Sequence, residues 1–132
     1  DEYYSPRLPQ PVKYSTPFAK TDPMIAPCCI DGFSFTWLSS SVDYFETGSA
    51  LHNCLRSWSR FNNPVVVIKD HNKIIAAIEV DVVRRIVVQA RTANNRLIET
   101  ESKLGNAYEK WKKRYSVEER GYGYIVDDDL PL

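Results

Sequence analysis

The sequence predicts an α+β fold with an extended proline-rich N-terminal arm, a small βαββα(β) ferredoxin-like body and a long C-terminal helix. Three observations support this fold class. Six of the eight prolines lie within the first 27 residues, aromatic residues alternate with small polar ones from Phe33 to Trp37, and apolar residues recur every three or four positions from Val83 to Trp111. The predicted boundaries are 1–29 for the arm, 30–126 for a single domain and 127–132 for an acidic tail.

The N-terminal arm cannot form a helix or a sheet by itself. Each proline fixes its own φ, lacks a backbone donor and disfavours helical geometry in the preceding residue. An ordered arm of this kind needs the surface of its own domain or of a neighbour, and its aromatic residues are the natural anchors. The predicted partner-binding residues of the arm are Tyr3, Tyr4, Tyr14 and Phe18.

A strand and a helix are predicted after the arm. Within the stretch Ile30–Ser41, Phe33, Phe35 and Trp37 alternate with small polar residues, which is typical of a strand with one buried face and one solvent-exposed face. Asp43 or Thr47 can cap a following helix, in which apolar residues recur at near-helical spacing. The segment before Pro64 ends it. We therefore predict a helix at about 44–61.

The segment from Pro64 to Val80 fits two structures. Apolar β-branched residues on both sides of Asp70 and the following His-Asn pair predict a hairpin. Asp70 is also a good N-cap, and the proline-free sequence that follows allows a single helix over about 71–115, which would make the chain mostly α. The hairpin is favoured and the helix stays an alternative.

A long helix over about 82–115 is predicted from the recurring apolar residues. Such a helix would be about 50 Å long at 1.5 Å per residue, longer than a small domain, so part of it would project and pair with another helix. The predicted seam consists of Val83, Ile86, Ala90, Ala93, Leu97, Thr100, Leu104, Ala107 and Trp111. The predicted partner-binding residues on it are Leu97, Leu104 and Trp111.

The charges of the chain suggest a second kind of partner. The 17 basic and 17 acidic residues cancel, which argues against a general polyanion binder. Residues 81–120 nevertheless carry ten basic and six acidic residues, and residues 121–132 carry three acidic residues and none that is basic. A basic helix face of this kind indicates nucleic-acid binding as the alternative function. The candidate polyanion-binding residues are Arg84, Arg85, Arg91, Lys110, Lys112, Lys113 and Arg114.

No catalytic, metal or cofactor site is predicted. The cysteines Cys28, Cys29 and Cys54 form no C-x-x-C pair with histidine ligands at zinc-site spacing. The five glycines form neither a G-x-G-x-x-G motif nor a phosphate-binding loop. We therefore expect a protein that is not an enzyme.

The predicted function is that of a non-catalytic structural subunit, which docks on other protein subunits in a homo- or hetero-oligomer. No apolar run approaches the roughly 20 residues that span a bilayer, so no transmembrane span is expected. The cysteine content favours a reducing, intracellular compartment. A chain that starts with Asp1 fits a processed precursor. A mitochondrial assembly and a virion are both compatible with such processing.

Overall fold

The computed structural model describes residues 26–53 and 63–119. In these residues, six strands form one sheet in which each strand lies beside the next one in the chain. Neighbouring strands are antiparallel except β5 and β6, which are parallel. The elements are β1 (Cys28–Ile30), β2 (Phe33–Trp37), α1 (Ser41–Leu51), β3 (Val65–Asp70), β4 (Lys73–Asp81), β5 (Ile86–Arg91), a 3-10 turn (Ala93–Asn95), α2 (Lys103–Tyr115) and β6 (Glu118–Glu119).

Two tight turns set the register of four strands. Asp31 and Gly32 connect β1 to β2, and His71 and Asn72 connect β3 to β4. All four residues have positive φ, at 52°, 87°, 50° and 72°. A two-residue turn with both φ values positive follows the right-handed twist of the strands that it joins. The predicted strand over Phe33–Trp37 and the predicted hairpin are thus confirmed.

Helix α2 covers one face of the sheet. The side chain of Trp111 is fully buried and stacks on Phe35, with 5.8 Å between ring centroids. Tyr108 stacks on Trp111 at 6.4 Å. Truncation of a buried aromatic side chain costs about 3–5 kcal/mol, so these contacts make α2 part of the folded body. The other buried residues of this core are Ile30, Phe33, Val66, Ile68, Ala76, Ile78, Val80, Val82, Val87, Ala90, Ala107 and Val117.

Helix α1 covers the opposite face. Its buried core consists of Leu38, Tyr44, Leu51, Val65, Val67 and Ala77. Successive side chains of a strand point to opposite faces, so Val65 and Val67 contact this core whereas Val66 and Ile68 contact the α2 core. A strand buried on both faces is apolar throughout, which explains the continuous run at the start of β3.

Helix α1 differs from the predicted helix at 44–61. Ser40 is the N-cap, because its hydroxyl oxygen accepts a hydrogen bond from the backbone amide of Asp43 at 3.2 Å. The helix ends just before His52, whose φ of 54° is left-handed. Residues 54–62 lie outside the described part of the chain.

The predicted ferredoxin-like body is wrong. The observed order is ββαβββαβ, and the strands lie in the sheet in the order in which they occur in the chain. A split βαβ unit instead needs another strand between its two parallel strands. The described residues therefore form a curled sheet, mostly a meander, with one helix on each face.

The predicted long helix over about 82–115 is also wrong, as is the alternative helix over about 71–115. Strand β5 (Ile86–Arg91) lies within both predicted helices, and strand β4 (Lys73–Asp81) lies within the longer alternative. The β-branched run Ile86–Val88 favours a strand, and the Asp81 carboxylate accepts two backbone hydrogen bonds at 3.1 Å in the turn before it. The helix begins only after Ser102.

The described residues cover only part of the predicted arm and tail. Strand β1 begins at Cys28, inside the range predicted for the arm. Residues 1–25 and 120–132 lie outside the description. Among the residues that are described, no helix has the length and apolar character needed to cross a membrane.

Candidate interaction surface

Helix α2 presents one continuous face to solvent. The helix begins after Ser102, whose side-chain oxygen accepts a hydrogen bond from the backbone amide of Gly105 at 2.9 Å. Tyr108 and Trp111 mark the buried face. The residues that share the exposed face are Lys103, Asn106, Lys110, Lys113 and Arg114. We call its four cations, Lys103, Lys110, Lys113 and Arg114, the basic face of α2.

The turn between β1 and β2 lies beside this face. The Asp31 carboxylate accepts a hydrogen bond from Lys110 Nζ at 2.8 Å. Both side chains are in contact with solvent, so this ion pair contributes about 0–1 kcal/mol to stability. Between turn and helix lies a shallow groove of about 550 Å³, lined by Asp31, Lys103, Asn106, Glu109, Lys110 and Lys113.

The basic face keeps charge that the described residues do not neutralise. Lys110 is paired with Asp31. Within residues 26–53 and 63–119, no carboxylate forms an ion pair with Lys103, Lys113 or Arg114. The face therefore attracts anionic groups, either carboxylate or phosphate.

Lys112 belongs to a different, buried site. Only 8% of this residue is exposed, and its Nζ lies 2.8 Å from Glu109 and 2.6 Å from Glu119. Burial lowers the pKa of Lys112, but the two carboxylates outweigh burial and hold that pKa above its ordinary value. The ammonium also lies 4.5 Å from the Tyr108 ring centroid. Lys112 therefore fastens β6 to α2 and is not available to a polyanion.

Two polar groups of α2 are buried among the described residues. The Trp111 indole nitrogen forms no hydrogen bond there, and the Tyr108 hydroxyl faces the Glu119 carboxylate. Burial raises the pKa of Tyr108 far above its ordinary value, and the charges of Glu119 and Glu109 raise it further. The phenol is therefore neutral and belongs to the core.

The three predicted arginines lie on other elements. In the turn after β4, Arg84 pairs with Asp81 at 3.7 Å, and Arg85 donates a hydrogen bond to the last backbone carbonyl of α2 at 3.5 Å. Arg91, at the end of β5, donates to the carbonyl of the preceding residue at 3.1 Å. Of the seven predicted polyanion-binding residues, those on the basic face of α2 are Lys110, Lys113 and Arg114.

The predicted seam does not form a surface. Trp111 is fully buried in the core, Leu104 packs on that core, and Leu97 is 68% exposed in the loop before α2. Their common face required the long helix, which is absent. The predicted arm residues lie outside the described part of the chain, and their role stays a prediction: Tyr3, Tyr4, Tyr14 and Phe18.

Sequence reasoning missed part of the surface. Lys103 lies seven and ten residues before Lys110 and Lys113, and this helical spacing could have identified it. No comparable signal links Asp31 to Lys110, because 79 residues separate them in the chain. Asn106 and Glu109 line the groove because the turn that contains Asp31 lies beside α2.

A second polar cluster lies at β4 and β5. Glu79 is 8% exposed, and its two carboxylate oxygens accept hydrogen bonds from Asn63 at 3.1 Å and from Gln89 at 3.4 Å. These bonds compensate for the burial of a charged group. Across the described ranges, no three His, Cys, Asp or Glu side chains are grouped so that they could hold a metal ion.

No protein-family model, curated protein or solved structure matches this chain. No family is therefore assigned to the chain, and the proposed function depends on the described residues.

Proposed function

We propose that this protein is a non-catalytic interaction subunit that binds an acidic segment of another protein through the basic face of α2. The observation that carries the proposal is the set of four cations on one exposed helix face, of which only Lys110 has a carboxylate partner among the described residues. These side chains lie outside both cores. They are thus available to a partner without any change in the fold.

The groove favours a protein partner over a nucleic acid. Asp31 and Glu109 lie among the lysines that line it. A phosphate backbone carries negative charge at every nucleotide, so these two carboxylates would repel it. A protein segment can place carboxylates against Lys103 and Lys113 and a neutral or basic group against Asp31. The predicted arginines Arg84, Arg85 and Arg91 lie on other elements, which also argues against a nucleic-acid interface on α2.

The N-terminal arm is proposed as a second docking segment. Proline-rich sequences favour extended, low-entropy conformations and aromatic side chains offer large contact areas, so this composition suits binding to a preformed groove. Replacement of Tyr3, Tyr4, Tyr14 and Phe18 by serine is expected to weaken partner binding and to leave the helical circular dichroism signal unchanged.

The test of the α2 proposal is a charge reversal at Lys103, Lys110 and Lys113, each replaced by glutamate. The probe is a fluorescent peptide in which glutamate alternates with serine, titrated by anisotropy, so that neutral residues can lie against Asp31 and Glu109. Each exposed ion pair is worth up to about 1 kcal/mol, so loss of three should weaken binding about tenfold or more. Wild-type affinity should also fall with added salt.

The matched control reverses three cations elsewhere, at Lys69, Lys73 and Arg96, and is expected to bind the peptide nearly as tightly as wild type. An unstructured RNA oligonucleotide is titrated in parallel. Tighter binding of the RNA than of the peptide would support the nucleic-acid function instead. No measurable peptide binding by wild type would contradict the proposal.

A further inference from the structure

The sequence beyond β6 is complementary in charge to the basic face of α2. Residues 120–132 contain one basic residue, Arg120, and three consecutive acidic residues, Asp127 to Asp129. Three carboxylates in a row match the closely spaced cations Lys110, Lys113 and Arg114. This complementarity lies within one chain, which raises the local concentration of the acidic group at the helix.

We propose that Asp127, Asp128 and Asp129 bind the basic face of α2 within the same molecule and so compete with an acidic partner. The binding of the acidic segment stands on its own observations. Only the competition rests on the proposed function.

The chain length allows this contact. Glu119 is anchored beside α2 through its 2.6 Å ion pair with Lys112. Asp127 lies eight residues farther along, and eight extended residues span about 26–29 Å. Helix α2 has 13 residues and is therefore about 20 Å long. Every cation of the basic face is within reach.

The energetics favour a weak, reversible contact. A short connecting segment gives an effective concentration of about millimolar. At this concentration an acidic segment with a dissociation constant of about 0.5 mM fills the face about two thirds of the time, and removal of its charge should then raise the apparent affinity for an acidic partner about threefold.

The experiment compares the full wild-type chain with a variant in which Asp127, Asp128 and Asp129 are all replaced by asparagine. The matched control carries Glu46→Gln, Glu99→Gln and Glu101→Gln, which remove the same charge from exposed positions. Amide NMR shifts of α2 are recorded first, without any partner. We expect shifts at Lys110, Lys113 and Arg114 in the asparagine variant but not in the control.

Binding of the same glutamate–serine peptide is then titrated for all three proteins. An affinity about threefold higher for the asparagine variant alone supports the competition. Equal affinities and identical α2 spectra would overturn the inference while leaving the proposed function intact. If no protein binds the peptide, the proposed function fails and the spectra alone decide the intramolecular contact. Wild-type α2 shifts that change on dilution would place the acidic segment on a second copy, contrary to the inference.

Discussion

At the scale of single residues, Gly105 determines how closely the loop before α2 can approach the helix. Glycine inside a helix is ordinarily unfavourable by about 1 kcal/mol relative to alanine. Here a Cβ atom would overlap the backbone carbonyl oxygen of Glu99 and lie 2.9 Å from that of Thr100. Backbone atoms cannot move aside as a flexible side chain can, so the ordinary preference for alanine is reversed.

We predict that Gly105→Ala lowers the free energy of unfolding by about 1–3 kcal/mol, the usual cost of overpacking. The measurement is urea unfolding followed by circular dichroism. The matched control is Asn106→Ala at the next, exposed position, where higher helix propensity should raise stability by about 0.5 kcal/mol. A Gly105→Ala variant as stable as wild type would contradict the observed approach of the loop.

At the scale of elements, the sequence predicted those whose signals are local. The alternation over Phe33–Trp37 and the polar pair between two β-branched runs identified β2 and the β3–β4 hairpin. The long helix failed because its three-to-four spacing also occurs by chance in β5 and in the following loop. Stronger local signals opposed it: β-branched residues in Ile86–Val88 and the capping residue Ser102 before α2.

The candidate surface was predictable only in part, for the same reason. Lys110, Lys113 and Arg114 lie within one helix, so periodicity placed them together. The pairing of Asp31 with Lys110 depends on how the sheet curls under α2, a long-range property that no local pattern encodes. Sequence reasoning likewise could not separate Lys112 from its neighbours, since its burial arises from the position of β6.

The β3–β4 turn provides a prediction at this scale. His71 and Asn72 both have positive φ, and glycine at the second turn position relieves the backbone strain of that geometry. Asn72→Gly should therefore raise the free energy of unfolding by about 0.5 kcal/mol. Asn72→Val should lower it by about 1 kcal/mol or more, because β-branched residues tolerate positive φ poorly. Thermal unfolding of both variants tests this order, and a valine variant more stable than the glycine one would refute it.

At the scale of the whole molecule, a helix covers each face of the sheet, and the charged groups on and around α2 divide into two sets. Lys112, Glu109 and Glu119 are used internally to hold β6 against α2. The basic face of α2 forms few contacts with the described body. Stability and binding should therefore respond to different substitutions, and Lys113→Met should affect binding much more than folding.

The buried groups between α2 and β6, Tyr108 and Lys112, predict a loss of stability at alkaline pH. Tyr108 and Lys112 both have raised pKa values in the folded protein, from ordinary values of 10.0 and 10.5. Above those values the unfolded chain releases protons that the folded chain retains, so the free energy of unfolding falls as pH rises. Each group contributes a slope of up to about 1.4 kcal/mol per pH unit. Burial also raises the pKa of Tyr115, which acts in the same direction.

Urea unfolding at a series of pH values from neutral to strongly alkaline measures this slope. Tyr108→Phe should make it shallower above pH 10, because the variant has no phenol that ionises on unfolding. Lys112→Met should make the slope shallower while lowering stability at neutral pH, since Glu109 and Glu119 lose their shared cation. Lys113→Met, on the exposed face of the same helix, should keep the wild-type profile. A Tyr108→Phe profile parallel to that of wild type throughout the alkaline range would show that this phenol does not ionise more readily on unfolding, and the buried arrangement of α2 and β6 would have to be revised.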